Sequence, residues 1–456
     1  MSEPARPRRP RRLRRVITAL LVVAVLLVIA ATGVYWWQRP MLRTGTGYAA
    51  LNECGVRLLA HRDDPSSDLP SNPLVPYLRS DTSATGSTTT ILGVLAKQRA
   101  WYTEGYGCTL ATSAPSLPAP VVADAARNPF SAQKVDPDPA VEKAIGAAFG
   151  DDLDATARDA LGTRAVLVIR DGQIVGERYA DGFTASTRQV GWSMTKSVAN
   201  LMAGRLVREG ALDVTADALR PEWTDDRRNI TVEDLLRMTS GLAWDEEYVL
   251  GSTITTMLYD RADMAGFVAE QPLAHAPGEY QQYSSGSSNL LCAVLAERDD
   301  APAATLPGRT ILAPLGLSSA VVETDAVGTP VCSSSMWATP RDWAAIGQFA
   351  LQQGQWDGQR LLPPNWMSWS TRVTRVAGEE VGYGAGWWVN RLPDGSTQYS
   401  AMPADTYWAS GHDGQRVFVV PSRNLVVVRM GFSPDLDDTQ LGMVDLIGAL
   451  SHGRAR

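Results

Sequence analysis

Ser193 and Lys196, within Gly191-Trp192-Ser193-Met194-Thr195-Lys196, are the residues whose types and spacing could do chemistry in this chain. At the start of a helix an i, i+3 offset points both side chains the same way, so an ammonium can approach the hydroxyl. The helix N-terminus adds positive potential where an oxyanion would form. A serine hydroxyl is a weak nucleophile until a neighbour takes its proton, and burial depresses a lysine pKa enough to share that task. A second S-x-x-K, Ser131-Ala132-Gln133-Lys134, is set aside because Pro129, Pro137 and Pro139 leave it too interrupted to be a buried catalytic helix.

Two further segments could complete such a centre. Tyr283, in Pro277-Gly278-Glu279-Tyr280-Gln281-Gln282-Tyr283-Ser284-Ser285, precedes the apolar run Leu290–Leu295 and is placed to pass a proton between serine and leaving group. Tyr407-Trp408-Ala409-Ser410-Gly411-His412-Asp413-Gly414 leads into a strand, and a glycine-flanked edge strand can aim a backbone N–H at an acyl oxygen. With the amide of Ser193 this would make an oxyanion hole. Trp244, Trp387, Trp388 and Trp408 are candidates for an apolar cleft or for core.

The composition narrows the alternatives. Four histidines (His61, His275, His412, His452) stand without H-x-H or H-E-x-x-H spacing, so no metal site is expected. Four cysteines without C-x-x-C pairing argue against zinc ribbons, iron–sulfur clusters and thioredoxin-like redox chemistry. No cofactor is implied. Residues 1–40 hold eight arginines and one acid, so the rest carries 34 basic and 48 acidic groups, which excludes a nucleic-acid partner for the body of the chain. No G-x-S-x-G elbow surrounds Ser193, which argues against an α/β-hydrolase triad.

These residues need elements to position them. Residues 1–15 read as a disordered basic tail, and Val16–Trp37 as an uncharged run of 22 residues that spans a ~30 Å hydrocarbon layer as a helix. The arginines before it predict a cytoplasmic N-terminus, with the membrane as partner of this helix. A retained anchor is the favoured reading and a cleaved signal peptide, secreting the rest, the competing one. Residues 41–137 read as an extracytoplasmic extension stapled by a Cys54–Cys108 disulfide, whereas Cys292 and Cys332 read as plain core residues.

Residues 138–456 read as an α/β domain of α+β type. Ala140–Phe149 is expected as a helix, Arg164–Ile169 and Gln173–Tyr179 as a hairpin around Asp171-Gly172, and Val417–Val420 with Leu425–Met430 as a second hairpin before a helix over Asp435–Leu450. Strands from both ends of the domain then form one antiparallel sheet flanked by helices, and Ser193 to about Ala350 forms an inserted, mainly helical lobe.

The ordered set S-x-x-K, Y-x-S and a glycine turn entering a late strand resembles the serine β-lactamase and penicillin-binding-protein superfamily. Within it, the chain is most similar to class C-like esterases and amidases, especially nylon-oligomer (6-aminohexanoate-dimer) hydrolases. The likeness covers about residues 140–450 and includes Ile230–Leu236, Met238–Leu242, Trp244–Tyr248, Ala338–Asp342, Gly382–Gly384 and Trp387-Trp388. Cys108-Thr109-Leu110 also looks like exported members.

The resemblance implies Ser193 as the acylated nucleophile, Lys196 as its proton partner, Tyr283 as general acid/base, and the Ser193 and His412 amides as oxyanion hole. It implies substrate-binding roles for Tyr248, for Ser285 in place of the asparagine of Y-x-N, and for Gly411. At the K-T-G element the chain has Ala409-Ser410-Gly411, so the lysine that helps hold a β-lactam or peptide carboxylate is missing. The expectation is a serine hydrolase of small amides or esters. The alternatives are a β-lactamase or D,D-peptidase, and a catalytically idle binding protein on the same fold. Oligomeric state is not legible.

Overall fold

A computed structural model describes residues 11–379 and 382–452. The first ten residues of the basic tail lie outside these; its last five, read as disordered, instead begin the first helix. That helix, α1 (Arg11–Cys54), runs on through Pro40, well past the expected end at Trp37. Its apolar side chains from Val16 to Val34 are exposed, whereas Thr44, Thr46, Ala49 and Ala50 are buried. By length and composition α1 could cross a membrane. Its continuation past Trp37 follows from packing: Thr46 Oγ1 donates to Ala96 O at 2.6 Å, and Gly47 allows an approach in which an added Cβ would lie 2.5 Å from Tyr259 O.

The extension then forms an antiparallel meander, β1 (Leu78–Ser83), β2 (Gly86–Ile91), β3 (Leu95–Thr103) and β4 (Gly107–Leu110). The Cys54–Cys108 disulfide ties the end of α1 to β4. A second disulfide, Cys292–Cys332, corrects the expectation of two plain core thiols. Their separation of 40 residues carried no pairing signal, and only the fold makes them neighbours.

In the remainder, α2 (Pro139–Ala148) starts where the Asp138 carboxylate accepts from Ala140 N and proline occupies the first turn. The hairpin of β5 (Thr163–Arg170) and β6 (Gln173–Tyr179) turns at Asp171 and Gly172, both with positive φ as a tight two-residue turn requires. Next come α3 (Met194–Glu209), α4 (Ser285–Glu297) and α5 (Pro340–Leu351). The chain returns through β7 (Trp388–Val389), β8 (Tyr407–Gly411), β9 (Gln415–Val420) and β10 (Leu425–Gly431), and ends in α6 (Met443–His452). The last helix is shorter than expected, because a left-handed Asp435 (φ 64°) and the Asp437-capped turn precede it.

The six strands pair antiparallel in the order β7-β8-β9-β10-β5-β6, so strands from both ends share one sheet. Its central strands are covered on both faces. Leu167, Ile169, Val417, Val419, Val426 and Val428 pack with α3 and α5, while Val166, Val168, Phe418, Val420 and Val427 pack with α2 and α6. Period-2 alternation thus serves two cores, and the first holds the helix that carries Ser193 and Lys196.

Candidate active site

Ser193 is the N-cap of α3 and partly exposed, while Lys196, one turn on, is 3% exposed. The apolar face of α3 (Val198, Leu201, Met202) is buried, which drives the helix inward and carries the lysine with it. Lys196 Nζ donates to Ser193 Oγ at 2.9 Å, to Ser285 Oγ at 2.9 Å and to Ser333 O at 3.0 Å. Three acceptors match its three donors. Burial pushes the Lys196 pKa down to about 8, against the raising effect of the Glu246 charge.

Ser285 is fully buried, so its place is behind the lysine and not against substrate. Its Oγ donates to Glu246 Oε1 at 2.6 Å and its backbone N–H to Oε2 at 2.8 Å; Trp244 Nε1 donates to Oε2 at 2.5 Å. Ser333 N donates to Asn289 Oδ1 at 2.9 Å, and its neighbour Cys332 is bridged to Cys292 on α4. The acceptors of Lys196 are therefore fixed by α4, by a disulfide and by a carboxylate.

Tyr283 meets Lys196 through its ring, whose centroid lies 4.7 Å from Nζ, and packs 5.7 Å from Trp388 and 5.6 Å from Tyr383. Trp387 and Trp408 are almost wholly buried and Trp244 is 9% exposed, so these three are core more than cleft lining. The decoy Ser131 lies in an exposed turn with its hydroxyl on Ala125 O and Asn128 O.

On the other side of Ser193, β8 is not an edge strand along its length, since β7 pairs with Tyr407 and Trp408. Gly411 is extended, and a Cβ there would lie 2.1 Å from Gly191 O. Only glycine permits this approach, which brings His412 beside the Ser193 turn: the Trp192 and His412 rings are 5.8 Å apart. Tyr248 stacks on His412 at 4.6 Å. Trp192 (φ 48°) and Asp413 (φ 55°) hold left-handed backbone immediately before Ser193 and after His412, a conformation that costs of order 1–3 kcal/mol and concentrates at functional sites.

The sequence reading did not assign Glu246, Ser333, Trp192 or Tyr48. Glu246 lies in the run Trp244–Tyr248, but one acid among several there carries no distinguishing mark. Ser333 contributes a backbone carbonyl, which no side-chain pattern reveals. Tyr48 comes from α1 and reaches the cleft lined by Trp192, Tyr248 and His412 only through folding.

A lysine–serine pair at the head of a buried helix, beside a glycine-bearing late strand of an antiparallel sheet, is now in place, and residues 149–438 match the family model for Beta-lactamase. The chain belongs to the beta-lactamase family. It is similar to 6-aminohexanoate-dimer hydrolase of Paenarthrobacter ureafaciens, at 24% identity over 60% of this chain and 74% of the relative. An uncharacterized Mycobacterium tuberculosis protein is 27% identical over 44% of this chain and 63% of that relative. Among solved structures, a family VIII carboxylesterase aligns with a TM-score of 0.53 at 18% identity, over 70% of this chain and 98% of that one. A penicillin-binding protein homolog from Caulobacter crescentus gives 0.54 at 19%, over the same shares. This beta-lactamase-family chain is thus a member of a hydrolase family with amidase and esterase homologues.

Proposed function

We propose that the chain is a serine hydrolase that cleaves a small amide or ester through an acyl-enzyme on Ser193. The observation that carries this reading is the buried Lys196 Nζ, 2.9 Å from Ser193 Oγ, with its pKa near 8. Neutral Lys196 takes the hydroxyl proton as Ser193 Oγ attacks the acyl carbon. The Ser193 and His412 amides stabilise the oxyanion. Tyr283, over the ammonium, passes a proton to the departing amine or alcohol as the C–N or C–O bond breaks. A water then attacks the acyl-Ser193 ester, its proton returning by the same groups, and the acid leaves. Ser285 and Glu246 position Lys196. No metal or organic cofactor takes part.

The favoured substrates are amides and esters over β-lactams or D-alanyl peptides, because Ala409 replaces the lysine that would meet a carboxylate. Residues 41–456 would work outside the cytoplasm, tethered or released at α1; two disulfides fit that compartment. The test treats wild type and Ser193→Ala with a fluorophosphonate and with penicillin, read by intact mass, beside p-nitrophenyl ester and aminohexanoate-type amide turnover. Adduct and turnover lost together in Ser193→Ala support the nucleophile. A folded wild type without adduct refutes it. A stable penicillin adduct would move the peptidase reading forward.

A further inference from the structure

The β2–β3 turn of the N-terminal extension, Leu92-Gly93-Val94, stands beside the apolar half of α1. β3 runs along α1 toward the helix C-terminus: Ala96 O accepts from Thr46 Oγ1, and further on Ala100 is buried with Ala50 and Cys54. The turn that precedes β3 is therefore directed back toward the N-terminal, uncharged part of the helix. Tyr35, at the end of that part, reaches the same strand, its hydroxyl accepting from Ala96 N at 3.1 Å. Residues 16–35 of α1, at ~1.5 Å each, span ~30 Å, with Trp36 and Trp37 exposed just beyond. The hairpin tip thus stands near the depth at which a bilayer crossed by α1 passes from acyl chains to headgroups.

Outside α1, the described residues expose eight large apolar side chains, and three of them, Tyr77 (52%), Leu92 (60%) and Val94 (77%), meet at this one end. Leu92 N donates to Tyr77 O at 2.9 Å. A fourth, Val249, stands two residues before Gly251, whose N–H donates to Thr44 Oγ1 on α1 at 3.2 Å. Leu92 also holds φ 52°, a left-handed conformation that glycine or asparagine adopts easily and a bulky side chain does not. Within the chain this leucine gains no burial in return. A Cβ on Gly93 would meet nothing within 4 Å, so the tip is free to enter another medium. Transfer into the boundary of a bilayer offsets both the exposure and the strained backbone.

We propose that Tyr77, Leu92 and Val94 dock on the headgroup–acyl boundary of the bilayer that α1 enters, as a second membrane contact beside the helix. This rests on the reading of α1 as a membrane span only for where the bilayer lies. Two contacts fix the orientation of the body, where a helix alone would let it swing. Residues 35–48 of the same helix, at ~1.5 Å each, then hold Tyr48 and the Trp192 ring packed on it ~20 Å above the boundary.

The test uses the full chain in phosphatidylcholine vesicles. All four native cysteines are in disulfides, so a single introduced cysteine takes an environment-sensitive NBD label alone. Val94→Cys and Tyr77→Cys probe the docking end, and Val122→Cys and Val327→Cys, at positions 85% and 61% exposed elsewhere, are the controls. Melting confirms that each variant is folded. The expected result is blue-shifted emission at positions 77 and 94, with quenching by doxyl-labelled lipid about threefold or more above the controls. Emission and quenching equal to the controls overturn the docking. A blue shift without lipid quenching also overturns it, because a protein surface such as a second copy then covers the hairpin. Flotation with and without alkaline carbonate reads the span separately. A chain that resists carbonate while its hairpin labels behave as the controls keeps the span and loses the docking. A chain that floats only at neutral pH, with its hairpin labels quenched by lipid, supports the docking and refutes the span. Failure to float under either condition overturns both.

Discussion

Removing the Glu246 charge should move the pH dependence of the reaction downward. Two hydrogen bonds in series, 2.9 Å from Lys196 Nζ to Ser285 Oγ and 2.6 Å from Ser285 Oγ to Glu246 Oε1, place ammonium and carboxylate at most about 5.5 Å apart. At that distance the charge favours the ammonium by about 3 kcal/mol at an effective dielectric of 20 and about 0.8 kcal/mol at 80. Divided by 1.36 kcal/mol per unit, this is roughly 0.5–2 pKa units. In the proposed mechanism the reactive form has neutral Lys196, so kcat/KM should rise about tenfold per pH unit and level off near pH 8. In Glu246→Gln, which keeps an acceptor for Ser285, the break should fall to between about 6 and 7.5. The assay is p-nitrophenyl ester hydrolysis at constant ionic strength, read where nitrophenol ionisation does not alter the signal. A break that stays at its wild-type position, or moves upward, refutes neutral Lys196 as the base under Glu246 control.

Gly411→Ala should lower both activity and thermal stability, since its Cβ would lie 2.1 Å from Gly191 O and must push β8 away from the Ser193 turn; activity with unchanged melting would contradict the close approach. Replacing Cys292 and Cys332 with alanine opens a 40-residue loop and should cost about 4 kcal/mol by chain entropy. It should also cut kcat by freeing the Ser333 carbonyl from its post beside Lys196, measured by melting and steady-state kinetics. Glu323 is buried against Cys108 N, and burial raises its pKa to about 8. Its folded pKa exceeds the unfolded 4.5, so this stabilising effect is full below 4.5 and is lost as pH rises through 8, by on the order of 4–5 kcal/mol. Glu323→Gln should therefore flatten the fall in melting temperature between pH 5 and pH 8.5.

The sequence by itself determined what is local. The Ser193–Lys196 offset, the Asp171-Gly172 and Pro421–Asn424 turns and the alternation of the late strands are short-range patterns, and the fold realises them with shifts of a few residues. The uncharged run from Val16 was equally plain. Where that helix ends was not, because propensity favours stopping at Pro40, while burial of Thr44–Cys54 against β3 and the helix Thr253–Asp260 carries it on.

Only the tertiary structure decided what surrounds the pair. Cys292 and Cys332 carry no mark of partnership until α4 and the Ser333 segment meet, and Ser333 acts through a carbonyl that every residue possesses. Ser285 is separated from Glu246 by 39 positions and from Lys196 by 89, and its place between them is set by the packing of α3 against α4. Tyr48 reaches the cleft because Gly45 and Gly47 let α1 lie close against the catalytic fold. Type and spacing specify a serine–lysine pair within one helical turn, whereas the groups that set the proton affinity of the lysine, and those that line the neighbouring cleft, are gathered by long-range burial that leaves no period in the sequence.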